Sequence, residues 1–263
     1  MLKIASWNIN SVRLRADTVA RFVAEARPDV LCLQEIKCRD GEFPAKAFKA
    51  MGLKHLHVVG QKGWHGVAIA SRVKMEPIAF TLCPRSEARA AAVRIDGVEI
   101  HNLYVPAGAD VPDASINPKF QHKLDFVEAM RLAYARRKGA APTVLVGDLN
   151  IAPGEFDVWS HKQLLSVVSH TPAETDGLLR VRDEGGFVDL ARLHRPAPEK
   201  LFTWWSYRSP DHTKNNRGRR LDHVWASAEL APSSQAKAFA IHAECRSWPR
   251  PSDHVPVVAG FAL

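Results

Sequence analysis

Cysteine is scarce. Cys32, Cys38, Cys83 and Cys245 are the whole complement of the 263 residues, and no two have CxxC spacing. A zinc site is therefore disfavoured, and buried free thiols in a reducing cytoplasm are the simplest account. Long apolar runs are missing as well. None approaches a membrane span, and Met1-Leu2-Lys3 leads into a strand pattern rather than a secretory leader, so a cytoplasmic protein that makes no membrane contact is expected. No low-complexity linker divides the chain, which makes one domain over residues 1–263 the expectation. The GxSxG elbow, the HExxH helix and the GxxxxGK loop are all absent.

What is present is a basic but otherwise ordinary globular composition, with 46% hydrophobic and 24% charged residues. The formal net charge of +8 favours polyanionic partners, nucleic acid above all. Charge alone gives only a modest tilt.

Short apolar strands recur: residues 2–7, 30–33, 66–70, 76–82, 91–95 and 98–105, 143–146, 202–207, 221–226, 238–243 and 255–261. Asp96-Gly97 marks a hairpin turn. Residues 12–26 read as a helix with Leu14, Val19, Phe22, Val23 and Ala26 on one stripe, and residues 119–137 as another with Phe120, Leu124, Val127, Met130 and Tyr134 aligned. A short helix is expected around Phe48, and irregular structure after the strand at 143–146. These elements predict an α/β fold with helices outside two packed sheets.

Chemistry concentrates at strand ends. In residues 143–153 the run Thr143-Val144-Leu145-Val146 is closed by Gly147, and Asp148 and Asn150 follow two apart, on one face if the backbone stays extended. By itself that is ordinary turn composition. The device recurs, however, at Asn8/Asn10, at Glu35, at Asp222 and at Asp253-His254. Five such endings are expected if strand ends converge on one hard cation, Mg²⁺ or Mn²⁺ rather than zinc. Metal-assisted hydrolysis of a phosphate ester is the reading these residues favour.

The segments SWNINSVR, LQEIK, HGVAIAS, NLYVPAG, GDLNIAP, FTWWSYR, NRGRRLDHVWAS and PSDHVPV span the chain. Together they resemble the exonuclease III family of apurinic/apyrimidinic endonucleases, within the endonuclease/exonuclease/phosphatase superfamily. The resemblance implies a four-layer α/β sandwich, with two packed mixed β-sheets flanked by helices. It implies Glu35 as principal metal ligand with Asn8 and Asp253 close by, and Asp148, Asn150 and His254 facing the same centre. Asp148 would be the general acid/base, Asn150 a transition-state stabiliser, and His254 a phosphate contact held by Asp222. Tyr104 stands at the position of the active-site tyrosine. Whether Asp148 orients or deprotonates the attacking water, or whether Tyr104 or Asp148 assists the departing 3′-oxygen, stays open at this level.

Trp204 and Leu221 resemble the apolar walls that receive a flipped-out abasic sugar, with Asn10 and Arg217 on the DNA side. Two positions depart from the family pattern. Arg219 stands where an apolar residue is usual, placed to reach a DNA phosphate or the abasic sugar, and Ala107 replaces a polar side chain. The loop at 208–220, with Arg208, Lys214, Arg217, Arg219 and Arg220, fits phosphate tracking. The function implied is a monomeric magnesium-dependent repair nuclease, cutting 5′ to abasic sites in duplex DNA and trimming 3′ blocks or 3′ ends. A small-substrate or lipid phosphatase and a catalytically dead DNA-binding protein are the two rivals.

Overall fold

Alternation along each strand sends successive side chains into different layers, and that alone builds the sandwich. The computed structural model describes residues 1–80, 82, 85–208 and 211–263, so Cys83 lies outside the described residues. The first sheet holds β1 (Leu2–Asn8), β2 (Val30–Gln34), β3 (His55–Val59), β4 (Val67–Ser71), β11 (Ala240–Ile241) and β12 (Val257–Phe261), in the order β11-β12-β1-β2-β4-β3. The second holds β5 (Glu76–Pro77), β6 (Ala90–Ile95), β7 (Val98–Tyr104), β8 (Thr143–Asp148), β9 (Phe187–Asp189) and β10 (Asp222–Ser227), in the order β5-β6-β7-β8-β10-β9. Among the described residues only β1–β2 and β7–β8 pair in parallel, so both sheets are mixed.

Ile4, Cys32 and Ile69 meet Val93, Ile100, Val144, Val146 and Val224 between the sheets. Their neighbours Ala5, Leu31 and Ala68 point the other way, onto Val19 and Phe22 of α1 (Ala16–Ala26) and Phe48 of α2 (Ala45–Ala50). On the far side Leu103, Leu145 and Trp225 pack beneath α3 (Pro118–Arg137) and α5 (Pro172–Gly185). Short helices α4 (His161–Leu164), α6 (Leu190–His194) and α7 (His212–Asn215) sit in the connections. A polar bridge also crosses the inter-sheet layer: Gln34 Nε2 donates to Asn102 Oδ1 at 2.7 Å and to Ser6 Oγ at 3.1 Å.

Several expectations shift. The helix expected over residues 12–26 starts at Ala16, because Asn10 and Ser11 take left-handed φ and the chain turns, leaving Leu14 exposed. On α3 the buried stripe carries Lys123 and Phe126 in place of the half-buried Leu124. The strand expected at 76–82 is only Glu76–Pro77, with Thr81 outside the described residues. Residues 202–207 form no strand. Trp204 makes isolated bridges to Arg219 and His254 instead, because its neighbours' backbone groups are spent on two loops. The irregular region after β8 contains the 14-residue α5.

Candidate active site

Strand register aligns the polar ends. Tyr104 and Asp222 both pair with Asp148 across β7, β8 and β10, while Asn8 pairs with Gln34. Asp222 and His254 were expected after strands; they lie at or before the starts of β10 and β12, which run antiparallel to β8 and β1 and so open at the same edge. Gly147 does not close β8 but sits inside it: at φ 143°, a Cβ there would lie 1.9 Å from the Leu103 carbonyl oxygen. Beyond the strands the backbone turns sharply. Asn10, Glu35, Lys37 and Asn150 all have φ near 50°, a conformation unusual for side-chain-bearing residues. Asp148 and Asn150 thus converge through a turn rather than an extended face.

That turn folds Asn150 onto Asp148, with the Asn150 backbone N–H to Oδ1 at 2.9 Å and its Nδ2 to Oδ2 at 3.1 Å. Asn8 Nδ2 bridges two carboxylates, at 2.9 Å to Asp148 Oδ2 and 3.0 Å to Glu35 Oε1. Tyr104 donates its hydroxyl to Glu35 Oε1 at 2.7 Å, and Lys37 Nζ sits 2.8 Å from Oε2. Burial pushes Glu35 up, but Lys37 and the hydrogen bonds from Asn8, Lys37 and Tyr104 outweigh it and hold the carboxyl at about 2.

His254 Nδ1 lies 2.8 Å from Asp222 Oδ2, and Nε2 lies 3.7 Å from Asp148 Oδ2. Burial disfavours its charge, yet Asp222 and then Asp148 raise it to about 10, so the ring carries both protons. Asp148 is buried beneath the surface. Burial raises it, His254 partly offsets this, Asp222 adds repulsion, and the carboxyl reaches about 7. Asp253 accepts from Trp204 Nε1 at 3.0 Å and from Asn10 Nδ2 at 3.2 Å.

A cavity of about 760 Å³ opens above this floor, lined by Glu35, Tyr104, Asn150, Asp253 and His254, by Trp204 and Leu221, and by Arg208, Arg217 and Arg219. Asn8, Asp148 and Asp222 lie beneath that lining, all buried. Arg217 stacks 4.6 Å from the Trp159 ring centroid, and Lys214 faces solvent beside Asp211. Arg220 is the exception in the basic loop: it is buried against Asp157 and Asp189 and cannot track DNA.

The donors suit a hard divalent cation. They are almost all oxygen, Asp222 Oδ1 is buried with no partner, and a lysine ammonium already rests on the Glu35 carboxylate. Ligand atoms of Asp148, Asp222 and His254 all lie within 4.8 Å of one another. That group contains Asp222, one of the five strand endings expected to converge on a cation and the residue that the resemblance assigns to holding His254, and does not contain Glu35 or Asp253.

Sequence reasoning missed three supports. Lys37 links Glu35 to Asn10 Oδ1 at 2.6 Å. Lys123 donates to the Asn150 carbonyl at 2.7 Å and pairs with buried Glu174 at 2.5 Å. Thr203 Oγ1 accepts from the backbone N–H groups of Leu221 and Asp222, each at 3.0 Å. A lysine in the buried stripe of α3 was the available signal for the second.

Residues 5–254 match the Endonuclease/Exonuclease/phosphatase family, and the chain belongs to it. Its relatives within that family include hydrolytic nucleases. Exodeoxyribonuclease III of Haemophilus influenzae is 30% identical over 276 residues, spanning 99% of this chain and 100% of its own. An AP endonuclease from Archaeoglobus fulgidus superposes with a TM-score of 0.92 at 33% identity, covering 100% of both chains. The Neisseria 3′ phosphatase NExo, solved bound to product DNA hairpin, gives a TM-score of 0.91 at 30% identity, again over 100% of both.

Proposed function

We propose that the protein is a magnesium-dependent DNA-repair nuclease that hydrolyses the phosphodiester 5′ to abasic sites in duplex DNA. It would also act as a 3′–5′ exonuclease and 3′-end-cleaning enzyme, working as a single-domain monomer. The observation that carries this is the buried Asp148–Asp222–His254 group under a cavity with an apolar wall and an arginine rim. Arg208 and Arg217 suit the DNA backbone, and Trp204 with Leu221 suits a sugar that has lost its base. Buried Cys32, Cys38 and Cys245 suit a reducing cytoplasm. Among the described residues no helix is long and apolar enough to cross a membrane.

Glu35, which keeps its charge down to about pH 2, would be the principal metal ligand, with Asn8 and Asp253 nearby and Asp148, Asn150 and His254 facing the same space. Bound Mg²⁺, or Mn²⁺ in its place, supplies positive charge against the phosphate oxygens. The doubly protonated His254, fixed by Asp222, donates a hydrogen bond to a non-bridging phosphate oxygen as charge grows there. Asp148, poised near neutrality, holds and deprotonates the attacking water. Water oxygen bonds to phosphorus, the bond to the 3′-oxygen breaks, and that oxygen takes a proton. Burial and the charges of Glu35 and Asp148 keep Tyr104 well above its ordinary range, so it is a neutral phenol able to donate that proton.

Asp148→Asn is expected to cut single-turnover cleavage of a duplex bearing one tetrahydrofuran abasic analogue by about 10²–10⁴-fold. Duplex binding in a mobility-shift assay is expected to persist. A variant that cleaves normally contradicts the assignment.

A further inference from the structure

Asp222 and His254 touch each other but belong to different sheets. Asp222 starts β10 in the second sheet, and His254 precedes β12 in the first. Their 2.8 Å contact, from His254 Nδ1 to Asp222 Oδ2, therefore depends on how the two sheets are held together at this edge. β9 pairs with residues 225–227 of β10 and stops short of Asp222.

Thr203 stands at that gap, fully buried. Its Oγ1 accepts from the Leu221 and Asp222 N–H groups, each at 3.0 Å. Its own N–H donates to the Arg219 carbonyl at 2.9 Å, and its carbonyl accepts from the Val255 N–H at 2.8 Å. One residue is thus bonded on one side to the segment that carries Asp222 and on the other to the neighbour of His254. The next two residues continue the strap. Trp204 exchanges two 3.0 Å backbone bonds with Arg219, and the Trp205 N–H donates to the Asp253 carbonyl at 3.0 Å. Any residue but proline could make those backbone bonds. The two to Oγ1 need a side-chain acceptor at position 203, and without it two N–H groups of buried residues lose their partner.

We propose that Thr203 is a positioning residue whose hydroxyl fixes Asp222 against His254 and so aims the imidazole at the scissile phosphate. This rests on the phosphodiester-hydrolase reading above. A hydroxyl between two backbone donors sets where the Asp222 backbone lies, and the carboxylate then sets the plane of the ring. Misplacement of a catalytic group by about 1 Å can cost up to about 10²-fold in rate.

The test measures single-turnover cleavage of the tetrahydrofuran duplex, and duplex affinity by mobility shift, in wild type, Thr203→Val and Thr203→Ser. Thr203→Val keeps the shape and removes the acceptor; it is expected to slow cleavage about tenfold or more with affinity retained. Thr203→Ser, which keeps the hydroxyl, is expected to recover most of the rate. A Val variant that cleaves normally, or a Ser variant as slow as Val, overturns the proposal. So does an equal fold-loss from Thr203→Val in the wild-type and Asp222→Asn backgrounds, since a residue acting through the Asp222 carboxylate has little to lose once that is gone. A readout independent of turnover is the His254 Nδ1–H resonance, which the bond to Asp222 moves downfield. It is expected to shift upfield in Thr203→Val and to hold in Thr203→Ser, and an unmoved resonance in Thr203→Val overturns the proposal. Should Thr203→Val fail to fold, Thr203→Cys against Thr203→Ser repeats the comparison with a weak acceptor, and equal rates overturn it. Failure of the wild type to cut the duplex would instead sink the hydrolase reading, with the resonance still deciding what Thr203 does.

Discussion

Two buried acidic clusters meet residues 220–222 at the start of β10 and behave in opposite ways. In one, Asp157 and Asp189 meet Arg220 and Arg192, so two carboxylates face two guanidiniums. Burial would raise Asp157, but Arg220 and then Arg192 hold it at about 2. In the other, Asp148 and Asp222 share a single His254, and Asp148 climbs to about 7. One cluster is balanced by the fold and closed to ligands. The other is short of positive charge and lies under a cavity. A buried carboxylate group is therefore read as a site when its charge is left unbalanced, not merely when it is acidic.

Removing the balance from the first cluster gives the largest stability effect. Arg220→Met strands Asp157 and Asp189 without their central partner and is expected to cost about 3–5 kcal/mol in urea denaturation. A loss below about 1 kcal/mol would show that the two clusters do not differ as described.

The pH dependence of stability sharpens the same contrast, because its sign differs between the clusters. Asp157, lowered from 3.8 to about 2, contributes stability that is present above pH 3.8 and lost as pH falls through about 2. Asp148 and His254 are both raised. The Asp148 contribution is full below pH 3.8 and lost as pH rises through about 7, and that of His254 is full below pH 6.5 and lost as pH rises through about 10. Metal-free protein is expected to lose stability between pH 7 and 10, and Asp222→Asn is expected to shrink that alkaline slope. Equal slopes in urea denaturation of the two proteins would contradict the coupling of His254 to Asp222.

Much of the site was legible because its residues follow short apolar strands, where a glutamate such as Glu35 is out of place in a core. Convergence of those ends also needs the register that sets Tyr104 and Asp222 opposite Asp148, and no local pattern states it. Asp222 and Asp253-His254 were read as strand endings because sequence does not tell an antiparallel start from a parallel finish. Helix α5 escaped because its buried face mixes Leu178 and Val181 with Glu174, Thr175, Gly177 and Gly185, which breaks the apolar stripe. Its start was nonetheless written in Thr171, Pro172 and Glu174, a capping box with proline in the first turn. Strand β3 (HLHVV) is half-buried throughout at a sheet edge, and its histidines masked the alternation. Arg220 looked like a member of a basic loop since its partners lie 31 and 63 residues away.

The most direct measurement is incision of a labelled duplex carrying one tetrahydrofuran abasic analogue, with Mg²⁺ and with EDTA, beside an undamaged duplex. Cutting is expected at the analogue only when Mg²⁺ is present, because the metal would supply the positive charge that the site is short of. Incision that proceeds equally in EDTA, or no incision at the analogue with Mg²⁺ supplied, would contradict it.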